Sequence, residues 1–255
     1  MRVAALYDVH GNLPALEAVL ADVRRAGVDR IVIGGDVLPG PMPRESLERL
    51  LGLDIPTDFI QGNGDRETLA EIAGAESSFP AAIRDVLRWT GDQLTPDTRQ
   101  PIAAWPPTLR VAIPELGDVL FCHATPRNDS EIVTRVMPAE VLTAVFDGVA
   151  DVIVCGHTHM QFDMRVGSTR VLNAGSVGMP FQPAGAYWLL LGPEPELRRT
   201  TYDLAKAAEV VRGTHYPGAD EFARMYVLDP PSEAGMLERM TQAGLAQWEA
   251  AASGA

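Results

Sequence analysis

Cysteine is scarce in this chain, basic residues are outnumbered, and no apolar run is long; each shortage removes a class of protein. Two cysteines in 255 residues, Cys122 and Cys155, cannot build a disulfide framework. Both end short apolar runs and read as buried, reduced thiols, which fits a reducing, cytoplasmic location. Against 34 acidic residues stand 21 basic ones, and the formal charge of −13 argues against a nucleic-acid polymer as partner. A small phosphorylated substrate is still allowed, because bound cations invert the local field. The N-terminal apolar run is broken by Asp8, so it reads neither as a signal peptide nor as a membrane span, and no other stretch is long enough to cross a bilayer. A hydrophobic fraction of 46% with 22% charged residues is ordinary for a globular protein, and the length suits one large domain. Oligomeric state is not legible at this level.

What the chain does have is a recurrence: five apolar runs each stop at a residue able to bind metal. Val3–Tyr7 leads into Asp8-Val9-His10-Gly11-Asn12, residues 31–33 into Gly34-Gly35-Asp36, and residues 59–60 into Gln61-Gly62-Asn63-Gly64-Asp65. Residues 119–122 lead into His123, and residues 152–155 into Gly156-His157-Thr158-His159. Short β-branched runs of this kind predict buried strands, and sites in open α/β sheets form beyond the carboxyl ends of such strands.

Between these points the chain alternates. Asn12-Leu13-Pro14 opens a helix with a capping side chain and an early proline, and Gly27 ends it. A strand, a helix near 43–53 and a strand near 57–60 follow, a β-α-β-α-β order that predicts parallel strands. Residues 66–104 read as helical, either a cap over the site or an ordinary layer on the sheet. A hairpin is expected at 109–113 and 119–122, and a helix at 138–146. The later part is strand-rich, at 161–166, 169–172, 186–191 and 197–202. The expected fold class is therefore α/β (α+β), with two sheets face to face and helices outside. The expected organisation is one catalytic domain over residues 1–202, with 203–255 as a helical extension packed on it.

Asp8 and His10 are two apart, as are His157 and His159, so in extended chain each pair projects to one side with backbones roughly 6.5–7 Å apart. Such side chains suit one metal, or two metals roughly 3.5–4 Å apart. Asp8, His10, Asp36, Asn63, His123, His157 and His159 make seven ligands, including four of the five histidines. That is too many for one tetrahedral zinc with an open position, and it suits two metals sharing a carboxylate. Mixed nitrogen and oxygen donors without thiolate fit Mn, Fe, Co, Ni or Zn better than Ca. Glycines 11, 34, 35, 62, 64 and 156 permit tight turns beside the ligands. His215 falls outside the set and reads as a surface or capping residue.

As an ordered set, these motifs resemble the calcineurin-like metallophosphoesterase superfamily. Asn173-Ala174-Gly175-Ser176-Val177-Gly178-Met179-Pro180 is similar to the closing motif of its YfcE-like phosphodiesterase branch. The likeness covers roughly the first 200 residues. It implies a four-layer αββα sandwich and a dinuclear site, with manganese the first choice of metal. Asp8, His10 and His159 would hold one ion, Asn63, His123 and His157 the other, and Asp36 would bridge them. It implies attack on phosphorus by a metal-held hydroxide, while the cations neutralise the phosphoryl oxygens. Asn12 would lie near the phosphate; Arg127 would either pair with a phosphate oxygen or form a surface ion pair.

Two positions depart from the pattern. Gly64 stands where many members carry a histidine that protonates the leaving oxygen, so the general acid is unassigned. Tyr7 stands where a serine commonly precedes the first aspartate. The expected function is a metal-dependent phosphoesterase, most of all a phosphodiesterase acting on a small or nucleotide-like ester. The alternatives are a binding scaffold or nucleotide sensor on the same fold, though scaffolds are expected to show degenerate ligands and all seven are intact here.

Overall fold

The computed structural model describes residues 1–75 and 79–253. Residues 76–78 of the helical stretch and 254–255 of the extension lie outside the described residues. Two five-stranded mixed sheets form its centre. In the first, β1 (Val3–Leu6), β2 (Arg30–Ile33) and β3 (Thr57–Phe59) run parallel, and β9 (Ala186–Leu191) and β10 (Glu196–Thr200) extend it antiparallel on the β1 side. In the second, β5 (Gly117–Cys122), β6 (Val152–Cys155) and β8 (Thr169–Asn173) run parallel, flanked by antiparallel β4 (Thr108–Ile113) and β7 (Phe162–Val166).

Period-two alternation decides which side chains face which layer. Along β1, Val3 and Ala5 point between the sheets and pack with Val119, Phe121, Val152 and Val154 of the second sheet. Ala4 and Leu6 point outward, onto Leu16, Val19, Leu20 and Val23 of α1 (Leu13–Ala26) and onto Leu47 and Leu50 of α2 (Pro43–Leu51). On the second sheet's outer face, Leu120, Ile153 and Val171 pack with Val141, Val145 and Phe146 of α6 (Ala139–Phe146). Helix, sheet, sheet, helix is the four-layer sandwich expected from the motifs. Strands buried on both faces explain why β1, β2 and β6 read as continuous apolar runs.

The helical stretch resolves into α3 (Asn63–Ile72), α4 (Ala81–Asp92) and α5 (Pro96–Ala104). Helix α3 starts three residues earlier than the sequence suggests. Asp65 in its first turn accepts from the Gly62 N–H at 3.1 Å, which closes the helix start despite two glycines. Leu94 and Ile102 join the helical layer outside the first sheet. Beyond β10 come α7 (Leu204–Arg212), α8 (Ala219–Phe222), a π-helical turn at Ala223–Leu228 and α9 (Glu233–Ser253). Helix α7 and the π turn pack around Met42, whereas α9 lays Leu245 and Trp248 on the second sheet's helical layer. Among the described residues no helix is long and apolar enough to cross a membrane.

Candidate metal centre

Backbone conformation marks the site first. Five non-glycine residues among those described have left-handed backbone: Asp8 at φ 55°, His10 at 45°, Asp36 at 51°, His157 at 63° and His159 at 57°. All five belong to the expected ligand set. Each such residue costs on the order of 1–2 kcal/mol, so the fold tolerates the strain only where something else requires it. The requirement is a sharp turn just past a strand end that throws the side chain into the crevice between the sheets.

The carboxylates are aimed by their own hydrogen bonds. Asp8 Oδ2 accepts from the His157 backbone N–H at 2.9 Å, leaving Oδ1 buried with no hydrogen-bond partner. That oxygen lies 3.4 Å from His159 Nε2, 3.8 Å from His123 Nε2 and 4.0 Å from His10 Nε2. Asp36 Oδ1 accepts from the Gly64 N–H at 2.7 Å, while Oδ2 lies 3.5 Å from His123 Nε2 and 3.7 Å from His10 Nε2. Asp65, which the sequence did not single out, holds the Asp36 loop: its carboxylate accepts from the backbone N–H groups of Asp36 and Leu38 at 2.9 and 3.0 Å.

Three histidines are oriented by backbone carbonyls. The Nδ1–H of His10 donates to Pro39, that of His123 to Gly34 and that of His159 to Met179, at 3.2, 2.9 and 2.7 Å. In its neutral form each ring would turn a bare Nε2 lone pair inward. His10 Nε2 and His159 Nε2 stand 3.3 Å apart, two acceptors facing each other. Such an arrangement is repulsive unless a proton or a cation sits between them.

Asn63 adjoins the other end of the cluster. One atom of its amide head lies 3.1 Å from His123 Nε2 and 3.0 Å from His157 Nδ1. With nitrogen turned that way the amide donates to both rings and to the Asp129 carbonyl; with oxygen there it meets only acceptors, as a metal ligand does. His157 Nε2 is buried without a partner.

Charge balance follows from this geometry. Burial penalises both Asp8 and Asp36, yet the surrounding histidines hold each carboxyl below the usual carboxylate range. Burial also opposes a charge on His123, but Asp36 and Asp8 outweigh it and lift the ring to about 10. His157, buried and next to cationic His123, is pushed down to about 4. Asp65 rises to about 7 because it is buried and faces the Asp36 charge, against the pull of its N–H donors.

Two overlapping triads emerge among the described residues, Asp8–His10–His159 and Asp8–Asp36–His123, each with donor atoms within 4.8 Å of one another. Asn63 and His157 stand beside the second. Unpartnered Asp8 Oδ1, inward lone pairs and mixed nitrogen and oxygen donors all fit a divalent cation. Asn12 and Arg127 bond outside the cluster. Asn12 is fully buried, accepting from Ala15 N–H and donating to Gly178 O at 3.3 and 2.9 Å. Arg127 forks onto Glu131 and lies 5.3 Å above the Trp248 ring. Tyr7 fills the space between the sheets, its hydroxyl donating to Val154 O at 3.0 Å. A Cβ on Gly34 would come within 2.0 Å of that ring, and one on Gly156 within 2.5 Å. The bulk lost at these two glycines accommodates the tyrosine.

Comparison with known proteins identifies the family. A calcineurin-like phosphoesterase superfamily domain matches residues 1–192. An uncharacterized protein of Methanocaldococcus jannaschii, MJ0912, is 26% identical over 235 residues, spanning 84% of this chain and 93% of the relative. A metallophosphoesterase from Sphaerobacter thermophilus is 27% identical with a TM-score of 0.64, over 88% of this chain and 98% of that one. The hypothetical protein PH1004 of Pyrococcus horikoshii shares the fold, with a TM-score of 0.76 at 19% identity over 91% of this chain and 99% of its own. With its ligand motifs in order on that fold, the chain belongs to the calcineurin-like phosphoesterase superfamily, hydrolases that act on phosphoester bonds.

Proposed function

We propose that this protein hydrolyses small phosphodiesters at a centre of two divalent cations, with manganese the first metal to test. Asp8, His10 and His159 would hold one ion, Asn63, His123 and His157 the other, and Asp36 would join them. The observation that carries this reading is the arrangement of acceptors: the Nε2 atoms of His10 and His159 at 3.3 Å, with unpartnered Asp8 Oδ1 beside them. Bound cations would supply a water made acidic enough to attack at neutral pH, and would neutralise the phosphoryl oxygens.

The chain's own contribution is to fix the donors before any ligand arrives. Carbonyls of Gly34, Pro39 and Met179 set the ring tautomers, and N–H groups of Gly64 and His157 aim one oxygen of each carboxylate. Prearranged donors need no reorganisation as charge develops on the phosphoryl group. Asn12 is assigned to holding the turn beside Gly178, and Arg127 to its ion pair with Glu131, so neither is given a phosphate contact. No side chain is assigned as proton donor, which favours esters whose leaving oxygen is already a stable anion.

The test is turnover of bis(p-nitrophenyl) phosphate with added Mn, Co, Ni, Zn or Fe, alongside metal analysis. Turnover with two ions per chain is the expected result. Silence across these metals and across mono- and diesters defeats the enzymatic reading, whereas one ion per active chain defeats the dinuclear one.

A further inference from the structure

The candidate centre accounts for the loop ends but leaves a second, partly aromatic cavity unused. This cavity measures about 400 Å³ and is formed by three separate pieces of chain. Buried Pro41 and Met42 come from the loop after Asp36, half-buried Trp89 from α4, and Thr214 and His215 from the segment after α7. Exposed Arg44 and Gln93 complete its rim. Pocket volumes of about 300–1,000 Å³ with apolar walls and a few polar groups are typical of small-molecule sites.

Its position relative to the centre follows from connectivity. The loop that carries Asp36 continues through Pro39, whose carbonyl holds His10 at 3.2 Å, directly to Pro41 and Met42 of the cavity wall. Met42 N–H donates to the carbonyl of Gly11, the residue after His10, at 3.0 Å, and a longer series of ring contacts runs from His159 to Trp89. His159 stacks on Phe181 with centroids 4.9 Å apart, Phe181 meets Tyr226 at 6.5 Å, and Tyr226 meets Phe222 at 5.2 Å. Phe222 then meets Tyr216 at 5.8 Å, and Tyr216 meets Trp89 edge-on at 5.4 Å. Tyr226 belongs to the π-helical turn, a backbone form that recurs at functional sites.

We propose that this cavity is a substrate subsite that takes a nucleobase-like ring of the phosphodiester cleaved at the centre whose Asp36 loop also builds the cavity wall. The inference rests on the phosphodiesterase reading and adds the substrate class. Trp89 is half-buried in the cavity wall, and a planar heteroaromatic ring would gain by stacking on the part left uncovered. His215 and the side-chain oxygen of Gln93 provide hydrogen-bonding groups for the polar edge of such a ring, while the Gln93 amide nitrogen is held by Trp89 O at 3.3 Å and the Thr214 hydroxyl by Val211 O at 2.7 Å. Among the described residues Arg44 is held by exposed ion pairs to Glu45 and Glu48, at 3.2 and 4.0 Å, weak enough to be redirected to an anion. The subsite is assembled by α4 and by the segment after α7, and the second of these lies beyond the residues matched by the family domain.

The test compares two diesters with the same leaving group, thymidine 5′-(p-nitrophenyl) phosphate and methyl p-nitrophenyl phosphate, in the manganese-loaded full chain. Wild type should favour the nucleoside ester in kcat/KM. Trp89→Ala should reduce that preference about tenfold, within the range for loss of one base–aromatic stack. Gln93→Trp fills the cavity from an exposed position, should do the same, and decides the matter if Trp89→Ala does not fold. Calorimetric titration with thymidine 5′-monophosphate provides the second readout, and both variants should weaken binding by a similar factor. An unchanged preference together with unchanged nucleotide binding overturns the subsite while leaving the phosphodiesterase reading intact. If neither ester is cleaved yet nucleotide binding is lost in the variants, the subsite stands and the hydrolytic reading fails.

Discussion

Arg66 closes a two-pronged ion pair on Asp129, Nε to Oδ2 at 2.7 Å and Nη2 to Oδ1 at 3.0 Å. Arg66 lies one turn along α3 from Asn63, and the Asp129 carbonyl is 3.1 Å from the Asn63 amide. The pair therefore ties the loop after His123 to the helix that presents Asn63. Arg66→Ala should loosen the ion on the Asn63 side first. Groups that orient metal ligands typically matter by about 10–100-fold in affinity or activity, so metal analysis should find the variant nearer one ion than two per chain at limiting manganese. Arg66→Lys keeps the charge but loses the fork, and should restore only part of the loss. Equal weakening of both ions would show that the pair acts on general stability alone.

Asp36→Asn separates charge from shape. An asparagine in the same rotamer still accepts from Gly64 N–H, so the loop should hold, but the metal-free variant should lose the part of its stability that the protonated His123 draws from the Asp36 charge. Losing the carboxylate proposed to join the two ions should lower bound metal and cut turnover by at least roughly 10²–10³. Normal turnover in this variant would remove Asp36 from the metal centre.

The loops that meet at the candidate centre were legible because two local signals coincide there: a short apolar run, and a residue type able to bind metal just past its end. Runs of this kind marked the ten strands of the described residues, though β10 stops at Thr200 rather than 202. Other parts of the site carry no side-chain signature. The carbonyls of Gly34, Pro39 and Met179 orient three histidines, and a carbonyl is present whatever the residue. The left-handed turns at Asp8, His10, Asp36, His157 and His159 are set by packing at the strand ends, since residue preference favours the ordinary regions. Asp65 was visible in its motif, yet nothing local tells a ligand from a residue that closes a helix start onto a neighbouring loop. The order of strands is likewise a long-range matter: β9 pairs with β1 across more than 180 residues, from Val3 to Leu191.

Gly64 cannot simply be replaced by the histidine that other members carry. A Cβ at this position would lie 2.3 Å from the Leu38 carbonyl oxygen and 3.0 Å from Asp36 Oδ1. Gly64→His should therefore displace the Asp36 loop, cost about 1–3 kcal/mol of stability by overpacking, and reduce rather than rescue turnover. In wild type, rates across a series of aryl diesters should climb steeply as the leaving group's pKa falls. A flat series with chemistry rate-limiting would reveal a proton donor elsewhere in the chain.

The protonation of His123 gives the metal-free protein its own pH signature. Burial disfavours the charged ring, but Asp36 and Asp8 hold its proton to about 10 in the folded state, above the ordinary value of 6.5. A raised histidine pKa adds stability that is complete below the unfolded value and disappears as pH rises through the folded one. Chelator-treated protein should thus lose thermal stability progressively between about pH 6.5 and 10. Two neighbours act in the same direction: Asp8 outweighs burial to raise the His159 ring above its ordinary value, and Asp65 at about 7 adds to the loss at the lower edge of the window, while burial pushes the Cys122 thiol well up and holds the Cys155 thiol at about 12, outside it. If cations bind as proposed, the ring would be a neutral ligand with its proton already gone, so the loaded protein should show a flatter profile over the same range. Differential scanning fluorimetry with and without manganese measures both curves. Parallel curves would mean that the two carboxylates are balanced by something other than the His123 proton when no metal is present, and the charge assignment at the centre would have to be redrawn.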